Sequence, residues 1–329
     1  MKTTSSARIT GTGSFVPAKV LTNSDLEKIV DTSDEWITER TGIKERRICG
    51  DDEAASDLAY EAAVRALDDA GIDGSALDAV LVGTVSADYL FPATGCLLQE
   101  RLGAKRAFAY DFSAACSGFI FGMGQALAFI ASGMCERILV IGVETLTKLT
   151  NWTDRNTCVL FGDGAGAAVF ERCGPGEGLL SVYLHSDGSL SDIIMLPAGG
   201  SRTPLTPELL AAHQNKIIMR GNETFKVAVK AMESALLRVI EEAGIRQDEI
   251  DLLIPHQANI RIIQALGKRL EVPEDRVYIN LDRYGNTSAA TIPIAIDEAR
   301  RNGRIGPGSI VVIAAFGSGV TYGGAVIRL

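Results

Sequence analysis

The chain has 329 residues, 47% hydrophobic and 22% charged, which is the composition of a globular protein rather than a disordered one. At about 150 residues per domain the length suggests roughly two domains. Lys and Arg number 32 against 41 Asp and Glu, a net charge of −9 with no basic run; this argues against a nucleic-acid partner while permitting a local basic patch for an anionic ligand.

The opening MKTTSSARIT lacks the apolar core of a signal peptide. Beyond it, short apolar runs alternate with helical patterns. Periodicity predicts helices over 55–71, 93–102, 116–133, 221–244, 258–270 and 289–302, and buried strands over 79–85, 107–113, 137–143, 251–256, 276–280 and 309–316. Such alternation implies an α/β fold with a mostly parallel sheet covered on both faces. Residues 112–135 carry no charge, a stretch long enough to span a membrane. Its glycines, serines and glutamine, set among strand–helix units, favour a helix buried inside the protein, so no membrane segment is expected.

Six cysteines, Cys49, Cys96, Cys116, Cys135, Cys158 and Cys173, form no C-x-x-C pair, and His185, His213 and His256 form no H-E-x-x-H. No metal and no resident cofactor are expected, and unpaired thiols without a leader point to the cytoplasm. Cys116, in DFSAACSGF, follows a strand and sits where the long apolar helix should begin. Free N–H groups and the positive helix end favour a thiolate there, although a packed core cysteine is an equal reading of that context. The stretch 161–167, FGDGAGA, lacks the G-x-G-x-x-G spacing of a dinucleotide loop. His256, in IPHQAN, exits a strand beside Gln257 and Asn259; Asn286, in RYGNTSAAT, taken alone reads as a turn residue. The glycine-rich 316–328, FGSGVTYGGAVIR, is a tight hairpin or a row of N–H groups facing a reacting carbonyl.

An internal repeat organises these residues. Residues 65–81, RALDDAGIDGSALDAVL, align without a gap on 238–254, RVIEEAGIRQDEIDLLI, at an offset of 173. Two similar halves follow, 1–176 and 177–329, with CGPGEG (173–178) as the loop-like junction and 197–215 as an insert without a counterpart. The offset carries Gly83 onto His256 and takes Cys116 to within three residues of Asn286. All three lie at strand exits, where α/β sheets bind ligands, and a pseudo-twofold axis would bring them together.

DFSAACSGF, IPHQAN, RYGNTSAAT, LFGDGAGAAV, DEWITERTGI and GSGVTYGGAVIR, met in this order over essentially the whole chain, closely resemble the β-ketoacyl-acyl carrier protein synthase III family. The resemblance implies the thiolase-like fold, a duplicated α/β unit in five αβαβα layers, working as a homodimer. It implies an enzyme that joins acetyl-CoA, or another short acyl-CoA, to malonyl-acyl carrier protein through an acyl-cysteine, initiating fatty acid synthesis. Coenzyme A is then part of a substrate rather than a cofactor. By the same resemblance Cys116, His256 and Asn286 are the catalytic set, and the backbone N–H groups of Cys116 and Ser318 form the oxyanion hole. Trp36, Arg40, Arg155, Asn222 and Asn259 match the coenzyme A site; Lys226, Arg261, Lys268 and Arg269 match a basic patch for the acidic carrier protein; Phe91 matches the cap of the partner protomer's acyl pocket.

Three other readings compete. A sibling condensing enzyme making secondary metabolites or alkyl quinolones would share the fold. A papain-like hydrolase would also order Cys, His and Asn in this way, but C-G-[SA]-C-[WY] is missing. A coenzyme A or carrier-protein binding module without chemistry would not need all three polar residues.

Overall fold

The structure, a computed structural model, describes residues 6–329. Two mixed sheets carry the molecule. In the first, the strands run in the order Ser6–Phe15, Asp163–Cys173, Arg137–Thr145, Ala79–Gly83, Phe108–Phe112. In the second, the order is Leu252–Pro255, Ile310–Gly317, Thr321–Arg328, Gly178–Ser186. Taken by position within each half, the two orders coincide. The second sheet completes its outer position with a single parallel bridge from Leu253 to Val277, where a regular strand over 276–280 was expected.

The sheets are not mostly parallel, as the pattern had implied. Asp163–Cys173 is antiparallel to both of its neighbours, and Thr321–Arg328 likewise. The antiparallel strands of the first sheet are rich in Gly and Ala, so they lack the Val/Ile signature of a strand. The packing requires this: a Cβ on Gly11 or Gly13 would lie 2.3 Å from a carbonyl oxygen of the Ala55–Ala70 helix.

The repeat has a local physical cause. The helices Ala55–Ala70 and Gly221–Ala243 each end on a left-handed glycine, Gly71 and Gly244, both at φ 68°. The following isoleucine amide bonds back to the last turn, Ile72 to Leu67 O at 3.1 Å and Ile245 to Ile240 O at 3.3 Å, so Ala-Gly-Ile is a Schellman stop. The repeated aspartates, Asp78 and Asp251, each accept the first N–H of the neighbouring strand, from Arg137 at 3.0 Å and Ile310 at 2.8 Å.

Helices Gly118–Ala131 and Thr291–Arg301 lie between the sheets. Phe119, Ile120 and Met123 of one, with Ile292, Ala295 and Ile296 of the other, pack against Leu81 and Val140 on one side and Ile254 and Ile313 on the other. The outer faces are covered by Leu58, Ala62 and Ala66 over Val80 and Val82, and by Met232 and Leu236 over Leu253 and Val312. Five layers, αβαβα, result, and because the central strands are buried on both faces they read as continuous apolar runs. The helix Gly118–Ala131, at the centre of the uncharged stretch 112–135, belongs to this interior, and among the described residues no helix is long and apolar enough to cross a membrane.

Candidate active site

Two sharp turns at the strand exits build the site. Residues Ala115–Ser117 form one 3-10 turn leading into the helix at Gly118; Ser288–Ala290 form the other, leading into the helix at Thr291. Every position is related by 173. Ala115 and Ser288 open their turns in the left-handed region, φ 47° and 49°, a conformation that costs a non-glycine residue about 1 kcal/mol or more and persists only where packing enforces it. The packing is tight. A Cβ on Gly118 would lie 3.0 Å from Ala289 Cβ, and one on Gly142 would lie 2.1 Å from the Ala289 carbonyl oxygen. A third turn, Ser318–Val320, closes the group: a Cβ on Gly317 would lie 2.6 Å from the Cys116 nitrogen.

The structure brings Cys116, His256, Asn286 and the Ser318 turn together. Cys116 is partly accessible, and the Ser288 side chain interacts with its thiol. Burial pushes this thiol up to about 12, despite the Ser288 contact. This burial opposes the ionised form that the helix end was expected to favour. Asn286 is buried, and its Oδ1 accepts the Ser288 N–H at 2.8 Å. The amide nitrogen is thus the end left to act on a ligand, as a donor. His256 follows the strand Leu252–Pro255 and is 3% exposed; burial pushes its imidazole down to about 3. Its Nδ1 lies 2.7 Å from Thr291 Oγ1, which in turn lies 3.0 Å from Ser288 O. From sequence, Ser288 and Thr291, together with Glu144, had no place in the site, Ser288 being readable only as a cap of the next helix, a role it does not take. The offset points to one of them, since adding 173 to Ala115 lands on Ser288.

A second cluster lies where the helix Asp34–Thr41 meets the start of the helix Ile260–Arg269; a Cβ on Gly42 would lie 2.7 Å from Ile260 Cβ. Trp36 carries the Arg40 guanidinium 4.6 Å from its ring centre and that of Arg155 at 5.2 Å. Asn259 caps the second helix through Arg261 N at 2.9 Å and donates to Arg40 O at 3.0 Å, so both ends of its amide hold the two segments together. Asn222 is exposed at the start of the Gly221–Ala243 helix, with Lys226 one turn on. Arg261, Lys268 and Arg269 are all exposed on their helix. Arg269 is paired with Glu233, and Arg261 donates to Glu39 O at 3.3 Å. Phe91 belongs to neither cluster and is 85% exposed beside Tyr89 and Leu90.

All six cysteines are unpaired, and among the described residues no group of His, Cys, Asp and Glu is placed to hold a metal ion.

Comparison with known proteins adds the following. The family described as 3-Oxoacyl-[acyl-carrier-protein (ACP)] synthase III matches residues 110–188, and its C-terminal counterpart matches 240–329. The beta-ketoacyl-[acyl-carrier-protein] synthase III of Caldanaerobacter subterraneus subsp. tengcongensis is 55% identical over 322 residues, covering 98% of this chain and 97% of that protein. The crystal structure of 3-oxoacyl-[acyl-carrier-protein] synthase III from Aquifex aeolicus is similar with a TM-score of 0.91 at 45% identity, covering 98% of this chain and all of that one. The corresponding structure from Thermus thermophilus has a TM-score of 0.91 at 43% identity, covering 98% and 99%.

Proposed function

The chain belongs to the 3-oxoacyl-(acyl carrier protein) synthase III family, and from that premise we propose how its residues divide the work. It is an acyl-transferring condensing enzyme that carries out the initiating condensation of fatty acid biosynthesis, with acyl-CoA and acyl carrier protein as substrates.

In our reading Cys116 attacks acetyl-CoA. The oxyanion rests on the N–H groups of Cys116 and Ser318, each in a 3-10 turn that leaves its first amides without intrahelical acceptors. One such donor is worth about 3 kcal/mol of barrier. Coenzyme A departs, and the acetyl group remains on Sγ. Malonyl-acyl carrier protein then enters, and loss of carbon dioxide builds negative charge on its thioester oxygen. Asn286 donates to that oxygen from Nδ2. His256 donates from Nε2, which requires the Thr291 hydroxyl to turn its one hydrogen from Ser288 O, at 3.0 Å, to Nδ1, at 2.7 Å. A neutral imidazole suits this role, because it must donate a hydrogen bond without losing a proton. The carbanion equivalent attacks acetyl-Cys116 and releases acetoacetyl-acyl carrier protein. The observation that carries this reading is Asn286: with Oδ1 committed to Ser288, it offers the site only donors.

Around this centre, Trp36 and the two guanidiniums beside it form a stacking surface for adenine, with Arg40 near the phosphates and Asn222 and Asn259 along the pantetheine arm. Lys226, Arg261, Lys268 and Arg269 steer an acidic carrier protein despite the net charge of −9; Arg269 must exchange Glu233 for the partner. The exposed Tyr89, Leu90 and Phe91 and the free edge of strand Phe108–Phe112 support a homodimer in which Phe91 caps the neighbouring acyl pocket and favours short primers. The two halves, 1–176 and 177–329, act as duplicated units, and the cytoplasm is the proposed compartment.

Intact-mass analysis of the protein with acetyl-, butyryl-, octanoyl- and lauroyl-CoA tests the reading. It expects one adduct per chain, short acyl groups preferred, and none on Cys116→Ala. An adduct that persists on Cys116→Ala at the normal rate would overturn it.

A further inference from the structure

The scheme above leaves idle a carboxyl group beside the nucleophile. Glu144, in the strand Arg137–Thr145, is fully buried. Its oxygens accept from Ser86 Oγ at 2.6 Å, Val85 N at 3.1 Å, Thr84 Oγ1 at 3.3 Å and Ser288 Oγ at 3.1 Å. Every one of these donors is neutral. With its hydrogen directed at Glu144, Ser288 keeps lone pairs free to accept from the Cys116 thiol beside it. The fold does not ask for a hydroxyl at this position: the twin turn holds the same left-handed conformation with Ala115.

We propose that Ser288 and Glu144 form a proton relay for Cys116. As Sγ bonds to the thioester carbon, its proton passes to Ser288 Oγ and the Ser288 proton passes to Glu144 Oε1. Coenzyme A leaves as a thiolate and takes a proton from water. When the carbanion later displaces Sγ, Glu144 gives its proton back to Ser288, Ser288 gives its own to Sγ, and the enzyme returns to its starting state. This rests on Cys116 being the nucleophile.

The alternatives for that proton are poor. Burial pushes the thiol up to about 12, so ionisation without an acceptor is scarce at neutral pH. It pushes His256 down to about 3, far too low to hold a proton. The same burial, opposed by the four donors, leaves Glu144 at about 7. The titratable groups around Glu144 are Cys116, across Ser288, and His256, joined to the same turn through Thr291. Protonated Glu144 has a second consequence: it removes a negative charge from a low-dielectric site just when the malonyl carboxylate must enter.

The test is the rate of acetyl transfer to Cys116, followed by quenched intact-mass measurement from acid to alkaline pH, in wild type, Glu144→Gln, Ser288→Ala and Glu144→Asp. Wild type should rise with pH and level off above about 7. Glu144→Gln and Ser288→Ala should be slower by about 100-fold at neutral pH, then climb roughly ten-fold per pH unit towards ionisation of the thiol itself. Glu144→Asp should regain the inflection. Variants that are unchanged in rate, or slow with the wild-type pH profile, would overturn the relay, and Ser288→Ala decides the matter if Glu144→Gln does not fold. Absence of any Cys116 adduct in wild type would instead overturn the nucleophile assignment.

Discussion

The two halves of the molecule put their strand exits through the same turns, yet at each related pair only one half carries chemistry. Cys116 corresponds to Ala289, His256 to Gly83, and Glu144 to Gly317. The plain partner is in each case the one without room. Ala289 is fully buried against Gly118; a Cβ on Gly83 would lie 3.1 Å from the Phe112 ring; a Cβ on Gly317 would lie 2.6 Å from Cys116 N. Duplication thus supplies two copies of a scaffold, and close packing leaves one member of each related pair too little room for a reactive side chain; at Gly317 the space goes to Cys116 itself.

The sharpest way to break this comparison is to move the thiol. In Cys116→Ala combined with Ala289→Cys, the cysteine occupies the twin turn but faces Gly118 and no substrate. Acylation should be lost entirely by intact mass, and an acyl adduct on the new thiol would show that the turns are interchangeable. Next in size is the packing between them. Gly142→Ala must drive a Cβ towards the Ala289 carbonyl oxygen, 2.1 Å away, and should cost about 3 kcal/mol in urea unfolding, with loss of activity. Gly306→Ala, with nothing within 4 Å of its Cβ, should stay within about 0.5 kcal/mol. The smallest effect concerns His256 against Gly83. Its native pKa, about 3, lies below the ordinary 6.5, so the stability linked to the neutral ring is fully present above 6.5 and is lost as pH falls towards 3. His256→Asn should flatten acid unfolding over that window, by a few kcal/mol at most.

Much of this asymmetry is legible in the chain. The Val/Ile runs marked the central strands because both faces are buried, and the 173-residue offset is written in a helix stop and a strand-starting aspartate. The antiparallel strands Ser6–Phe15 and Asp163–Cys173 escaped notice because helices press close enough to exclude side chains, as at Gly11 and Gly13. In the site, Cys116 and His256 draw attention by residue type at strand exits, whereas Asn286 alone reads as a turn residue and enters through the motif around it. Ser288, Thr291 and Glu144 do not stand out, since a serine, a threonine and a strand glutamate acquire meaning only from what the fold places beside them. At Cys116 the helix start is visible in sequence, whereas the burial that opposes ionisation of the thiol is not.

The central claim is that the two halves serve different half-reactions, the nucleophile from one and the enolate donors from the other. Single-turnover measurement of both steps in His256→Ala and Asn286→Ala tests it most directly. The account predicts acetyl transfer to Cys116 close to the wild-type rate, with malonyl decarboxylation slowed by about 100- to 1,000-fold. Loss of acetyl transfer in His256→Ala, with the histidine acting as the thiol's base, would contradict it.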